Sequence, residues 1–125
     1  MAELKLTITH YKILHTVKIL NDMKLYPKQE GVYKLLSGII DDETLPLKDI
    51  PTFGCLISYS SKKISRFILA LTRHNYLKKI FDRNTNDLYL IISVDGSNSL
   101  QKFLKRHKNP YPKTTKKIET TIVKI

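Results

Sequence analysis

The sequence predicts a mainly helical protein with one small β-hairpin, an α+β fold. Several stretches repeat apolar residues at helical spacing, and two short runs of β-forming residues flank a string of turn residues. With 125 residues, the chain suits one domain with a modest core. We assign residues 1–108 to this domain. Residues 109–125, which include two prolines and four lysines, are assigned to a basic tail or linker.

Two helices are predicted in the first third of the chain. The stretch from Thr9 to Leu25 carries apolar residues at three- and four-residue spacing, and Thr9 is its predicted N-cap. The Tyr26-Pro27 dipeptide ends this helix, because the residue before a proline avoids the helical region. A shorter helix is predicted from Gly31 to Gly38, where the final glycine is a common C-terminal stop.

The connection to the third helix is predicted to be irregular. Residues 39–52 are rich in Asp, Glu and Pro, and their Asp41-Asp42-Glu43 cluster lacks the further ligands that a metal site needs, so we expect a solvated loop. Phe53 to Tyr59 is uncharged and mostly apolar, and both a short strand and a tight turn remain open for it. Because Cys55 is the single cysteine, an internal disulfide and a four-cysteine zinc site are excluded, and we interpret Cys55 as a small buried hydrophobe.

The third helix is predicted to be amphipathic and strongly basic. It opens at Ser60 or Ser61, both good N-caps, and runs to about Asn75. Its polar side carries cationic and hydroxyl side chains but no acid, whereas a merely solvated helix usually mixes both signs. We therefore expect this helix to contact phosphates. Its candidate contact residues are Ser60, Ser61, Lys62, Lys63, Arg66 and Arg73.

A hairpin and a last helix complete the predicted domain. Tyr76 to Phe81 and Leu88 to Ser93 are rich in β-forming residues, and the residues between them are typical of a turn. The last helix is predicted to start near Ser97 or Ser99, after the Asp95-Gly96 turn. The hairpin supplies three further candidate contact residues, which are Lys78, Lys79 and Arg83.

The tip of the predicted hairpin has no aromatic residue. Its turn runs from Arg83 to Asp87 and is entirely polar. Phe81 and Tyr89 lie lower on the two strands, and we interpret them as packing residues.

The net charge of +11 is distributed unevenly along the chain. Residues 1–50 hold seven Lys and seven Asp or Glu, whereas residues 51–125 hold fifteen Lys or Arg and four Asp or Glu. Such a field favours a polyanionic partner, because Lys and Arg release the counterions condensed on phosphates. We expect that partner to be nucleic acid, in preference to an anionic membrane surface.

Other classes of function have little support in the sequence. The four histidines are scattered, and neither a carboxylate pair nor a nucleophile elbow is present, so we expect no catalysis, no cofactor and no metal. The chain has no run of 18 apolar residues, and Met1 to His10 lacks the basic head and long apolar run of a secretory signal, so we expect neither a membrane span nor a signal peptide. The expected location is the cytoplasm, associated with the nucleoid if the source is bacterial.

The order of elements is typical of a winged helix-turn-helix domain, in which a hairpin wing follows the last helix of the motif. Within that class, Ile13 to Lys105 resembles the RQC domain, the winged-helix module near the C-terminus of RecQ-family ATP-dependent DNA helicases. The matching pieces, in chain order, are Thr9 with Ile13-Leu14, Gly31–Gly38, Phe53–Leu56 with Ser60 and Ser61, Phe67–Leu77, and Leu88–Leu90 with Gly96 and Leu100–Leu104.

The resemblance implies binding of double-stranded or forked DNA through the basic helix and the wing. The sequence contains neither a Walker-type motif nor the cysteines of the family's zinc subdomain, so we expect either a fragment of a helicase, covalently attached to its motor, or a free-standing relative. Two alternatives stay open. One is a winged-helix transcription regulator that binds duplex DNA as a dimer, and the other is a winged helix whose basic face binds an acidic protein.

Overall fold

A computed structural model of the chain describes residues 5–106. Within this range, four α-helices and one two-stranded antiparallel sheet follow one another, and a short 3-10 turn, Leu45–Leu47, lies between the second and third helices. The mainly helical class with a small hairpin is confirmed. The predicted tail, residues 109–125, lies outside the described range. The elements are α1 (Ile8–Asp22), α2 (Gln29–Ser37), α3 (Ser61–Arg73), β1 (Leu77–Asp82), β2 (Asp87–Ile92) and α4 (Val94–Arg106).

One apolar core joins the first three helices to the base of the hairpin. Burial of these side chains supplies the main driving force for the fold, and the faces of α3 and the hairpin that point away from them remain at the surface. Helix α4 packs against α1, where the rings of Tyr11 and Phe103 stack with centroids 4.1 Å apart. The buried core residues are Ile13, Leu14, Val17, Val32, Leu36, Leu56, Ile64, Ile68, Leu71, Leu77 and Leu90.

Helix α1 begins earlier than the sequence indicated, and its N-cap is Thr7. The Thr7 N–H donates to His10 Nδ1 at 2.9 Å, and the Thr7 hydroxyl lies 2.9 Å from the same nitrogen. His10 therefore occupies the place that Glu or Gln takes in a capping box. The prediction of Thr9 as the cap is wrong because Thr9 is buried in the first turn, with its hydroxyl 3.3 Å from that of Tyr59.

Acidification is expected to destabilise the protein through His10. Burial lowers the pKa of His10 below its ordinary value of 6.5, and a ring protonated at Nδ1 cannot accept the Thr7 N–H. The unfolded chain takes up the proton first, so the stability present above a pH of 6.5 is lost as the pH falls through that value. The urea midpoint of unfolding should therefore be lower at about pH 5.5 than at about pH 7.5.

The variant His10→Gln provides the control, because a glutamine carbonyl completes an ordinary capping box without titrating. Its urea midpoint should depend less on pH than that of the wild type. Some dependence should remain, since burial also lowers the pKa of His15. An equal pH dependence in the two proteins would exclude His10 as the titrating group.

The long connection between α2 and α3 is held by backbone contacts with the end of α2. Gly38 ends that helix in the left-handed region, as predicted, and a side chain there would lie 3.3 Å from the Cα of Gly54. This close approach lets the Gly54 N–H donate to the Leu35 carbonyl at 2.8 Å and the Leu56 N–H donate to the Leu36 carbonyl at 2.9 Å. The segment up to residue 58 is a series of turns, so the alternative of a strand is wrong.

The hairpin pairs six residues of β1 with six of β2, from Leu77 opposite Ile92 to Asp82 opposite Asp87. The strand positions agree with the predicted ones to within one residue. The free edge of β2 is covered by the end of α1 and by the connection that follows it. The Leu90 N–H donates to the Pro27 carbonyl and the Ile92 N–H donates to Asn21 Oδ1, both at 2.8 Å. These bonds attach the hairpin to the end of α1.

Helix α4 begins at Val94, so the predicted start near Ser97 or Ser99 is wrong. The reason is a cap at Ser93, whose hydroxyl accepts the Gly96 N–H at 2.9 Å and whose carbonyl accepts the Ser97 N–H at 2.9 Å. Gly96, expected in a turn, therefore lies in the first turn of the helix.

Candidate nucleic-acid interface

The cations of α3 lie on the side of the helix that faces away from the core. Ser60 is the N-cap and accepts the Lys63 N–H at 3.1 Å, while Ser61 is the first helical residue. At about 100° per residue, Lys62, Arg66 and Arg73 fall within about 40° of one another around the axis. All three are exposed. The structure thus places three of the four predicted α3 cations on one stripe along the outward face, which we call the cationic stripe.

Lys63 lies about a quarter turn away from the cationic stripe. Its ammonium group is 4.7 Å from the centroid of the Tyr59 ring, a cation–π contact. Tyr59 is half-buried against the core, so the contact fixes one cation at the N-terminal end of α3. Sequence reasoning assigned Tyr59 only to an apolar segment. The signal that points to this contact is the spacing of four residues between Tyr59 and Lys63, across the start of the helix.

The predicted hairpin cations do not form one group. Lys78 and Lys79 are both exposed, but adjacent residues of a strand point to opposite faces of the sheet. Lys79 lies on the same face as the buried Leu77, whereas Lys78 lies on the face of Ile80. Arg83 is exposed in the turn. A ligand that lies flat on one face of the sheet can therefore contact only one of these two lysines.

Phe81 is not a packing residue, contrary to the prediction. Its side chain is 53% exposed, and Leu88, opposite it on β2, is 50% exposed. The hairpin extends beyond the core, so its buried residues, such as Leu77 and Leu90, lie towards its base. Tyr89 is half-buried, and its hydroxyl lies 3.2 Å from that of Thr85 in the turn. An exposed apolar pair, Phe81 and Leu88, consequently lies just below the polar tip.

The predicted contact cations form no ion pairs within the part of the chain that the structure describes. Among residues 5–106, the ion pairs involve Lys18, Lys28 and Lys34, and none includes a cation of α3, Lys78, Lys79 or Arg83. No carboxylate of residues 5–106 therefore lies within ion-pair distance of the contact cations. A phosphate that approaches them does not have to displace a carboxylate, so their charge is available to an external anion.

Lys34 forms ion pairs with two carboxylates of the acidic cluster in the long connection. The Lys34 ammonium lies 3.0 Å from Asp41 Oδ2, 3.6 Å from Glu43 Oε2 and 3.9 Å from Glu30 Oε1. The hydrogen bond from Lys34, with those from the Thr44 and Glu43 amides, lowers the pKa of the Asp41 carboxyl. Within the described range, no group of three side chains is arranged to hold a metal ion. The cluster thus shapes the loop after α2.

Cys55 and the lengths of the helices bear on other kinds of function. Burial raises the pKa of the Cys55 thiol to about 11, so the thiol is protonated and unreactive at neutral pH. None of the helices among residues 5–106 has both the length and the apolar character needed to cross a bilayer.

Comparisons with protein-family models, with curated proteins and with solved structures give no match for this chain. The candidate interface is therefore characterised by its own residues: the cationic stripe, Lys63 beside Tyr59, and the exposed hairpin with Lys78, Lys79 and Arg83.

Proposed function

We propose that this chain is a DNA-binding winged-helix module in which α3 lies against a duplex and the hairpin acts as the wing. One observation carries the proposal. The seven cations predicted to bind DNA are all exposed, and no carboxylate in the described range forms an ion pair with any of them. Association with a polyanion releases condensed counterions without breaking existing ion pairs, which favours binding.

The dimensions of α3 suit a duplex. The major groove is about 12 Å wide and admits an α-helix. Along such a helix, Lys62 and Arg73 are separated by about 16 Å. Cations along the outward face of such a helix reach the phosphates that border the groove. At the start of the helix, the Ser60 hydroxyl accepts the backbone N–H of Lys63. The backbone N–H groups of Ser61 and Lys62 have no partner within the helix, so they can donate to a phosphate oxygen.

The order of elements and the resemblance to the RQC domain support a more specific role. Three helices precede the hairpin and one follows it, as expected for a winged helix of that type. The exposed Phe81 and Leu88 beside the tip supply an apolar surface for a base pair at the end of a duplex. We therefore propose that the module recognises double-stranded or forked DNA for a RecQ-like helicase, whose motor would lie in another part of the protein.

Duplex binding should depend strongly on salt. With about six phosphate contacts, the logarithm of the association constant should fall with the logarithm of the salt concentration at a slope of about −5. The affinity for a labelled duplex should therefore decrease about a thousandfold between roughly 50 mM and roughly 200 mM salt, as measured by fluorescence anisotropy. An affinity that ignores salt would contradict the proposal. If duplex, fork and single strand all fail to bind at low salt, an acidic protein becomes the better partner.

A further inference from the structure

One apolar residue, Leu69, interrupts the cationic stripe. Its side chain is 43% exposed, and it is the only large apolar side chain on α3 with such exposure. By helical geometry it lies within about 60° of Lys62, Arg66 and Arg73 around the axis. Along the axis it lies about 4.5 Å beyond Arg66 and about 6 Å before Arg73. Along the axis Leu69 thus lies between two arginines, and around the axis it lies at the edge of the cationic stripe.

The neighbours of Leu69 on the adjoining face are short and already engaged. Ser65 accepts a hydrogen bond from the Gln29 amide group at 2.8 Å, and the Thr72 hydroxyl donates to the Leu69 carbonyl at 2.8 Å. Ser65 and Thr72 are also half-buried, so Leu69 is the exposed side chain on this edge of the cationic stripe.

A leucine at this position restricts what the helix can recognise. When the outward face of a helix enters the major groove, the exposed side chains of that face approach the edges of the bases. Leucine has no hydrogen-bonding group, so it gains nothing from the donors and acceptors on those edges. The C5 methyl group of thymine is the apolar feature that unmodified DNA presents there, and uracil lacks it.

We propose that Leu69 packs against the thymine C5 methyl group in the major groove, so that the module prefers thymine-containing duplex DNA over duplexes that lack this methyl. This inference rests on the proposed function. Arg66 and Arg73 hold the helix by the phosphates on either side, and Leu69 supplies the discrimination between bases. The same contact favours 5-methylcytosine over cytosine, because both methyl groups occupy the same place in the groove.

The test compares duplexes that differ only in this methyl group. An alternating A·T duplex carries the methyl group at every base pair, and its A·U counterpart carries none. The comparison therefore does not depend on where the protein binds, and no target sequence has to be known. Loss of one buried methyl contact should weaken binding about fourfold at constant salt. An alternating G·C duplex should bind more tightly, by a similar factor, when its cytosines carry the 5-methyl group.

Variants show whether Leu69 is responsible. Leu69→Ala should bind the A·T and A·U duplexes equally, while Ile80→Ala, which truncates an exposed apolar residue on the hairpin, should keep the discrimination. Both truncations are at exposed positions, and unchanged circular dichroism and melting temperature verify folding. If the wild type binds duplex DNA but treats thymine and uracil alike, or if Leu69→Ala still discriminates, the role of Leu69 is overturned and the proposed function stands. If no duplex binds, the proposed function itself fails.

Discussion

Reversing two charges on the cationic stripe should weaken duplex binding about 100-fold at physiological salt. The double variant Lys62→Glu with Arg66→Glu removes two phosphate contacts and places two carboxylates where the phosphates approach. Both side chains are exposed and have no ion-pair partner within residues 5–106, so the stability of the fold should change little. The measurement is the dissociation constant for a labelled duplex, with a melting curve for each protein.

The matched control is Lys5→Glu with Lys48→Glu, which lowers the net charge by the same amount. Both lysines are exposed, and both lie outside α3 and the hairpin. This variant should bind within about threefold of the wild type, because it changes only the long-range field, which salt screens. If the α3 variant also stays within about twofold of the wild type, α3 is not the surface that meets the duplex.

Replacing Gly96 with alanine should destabilise the protein by about 3 kcal/mol, although alanine is normally the better helix former. A Cβ at Gly96 would overlap the carbonyl oxygen of Tyr76 and touch Ile92. The Tyr76 backbone cannot easily give way, since its carbonyl accepts the Ser93 N–H at 3.1 Å and the neighbouring Asn75 carbonyl accepts the Ser93 hydroxyl at 2.5 Å. The free energy of unfolding, from urea denaturation, measures the loss.

Gly31→Ala is the comparison that separates sterics from helix propensity. Gly31 lies in the first turn of α2, and a Cβ there meets only the carboxylate of Glu43, at an ordinary 3.6 Å. This substitution should therefore stabilise the protein by about 0.5 kcal/mol. If Gly96→Ala were neutral or stabilising, the first turn of α4 would not be packed against Tyr76.

Most of the fold was predictable because it is determined locally. Apolar periodicity identifies α1, α2 and α3, and β-forming residues around a polar turn identify the hairpin. The ends of the helices depend instead on hydrogen bonds that propensity does not encode. His10 as the partner of Thr7 is an unusual capping box, and the cap at Ser93 places Gly96 inside a helix where its sequence context suggests a turn.

The connection between α2 and α3 could not be predicted because its shape depends on contacts between distant residues. Gly38 and Gly54 approach each other closely only after the chain has turned back on α2. Thr16 and Thr52, which are 36 residues apart, share a buried hydrogen bond of 2.6 Å. The local sequence around these residues predicts neither contact.

The candidate site was predictable only where local sequence patterns determine it. Exposed cations on an amphipathic helix follow from its periodicity, and all seven predicted cations are exposed. The exposure of Phe81 could not be inferred, because it depends on how far the hairpin extends beyond the core. Neutralisation of Asp41 by Lys34 likewise requires the loop to fold back onto α2.

The dependence of duplex affinity on salt, measured for the wild type and for both charge-reversal variants, tests the central claim most directly. The wild type and the Lys5 and Lys48 variant should both give a slope of about −5, and the Lys62 and Arg66 variant a slope of about −3, because two phosphate contacts are lost. Equal slopes for all three proteins, or a slope near zero for the wild type, would contradict the claim that α3 binds DNA through its cationic stripe.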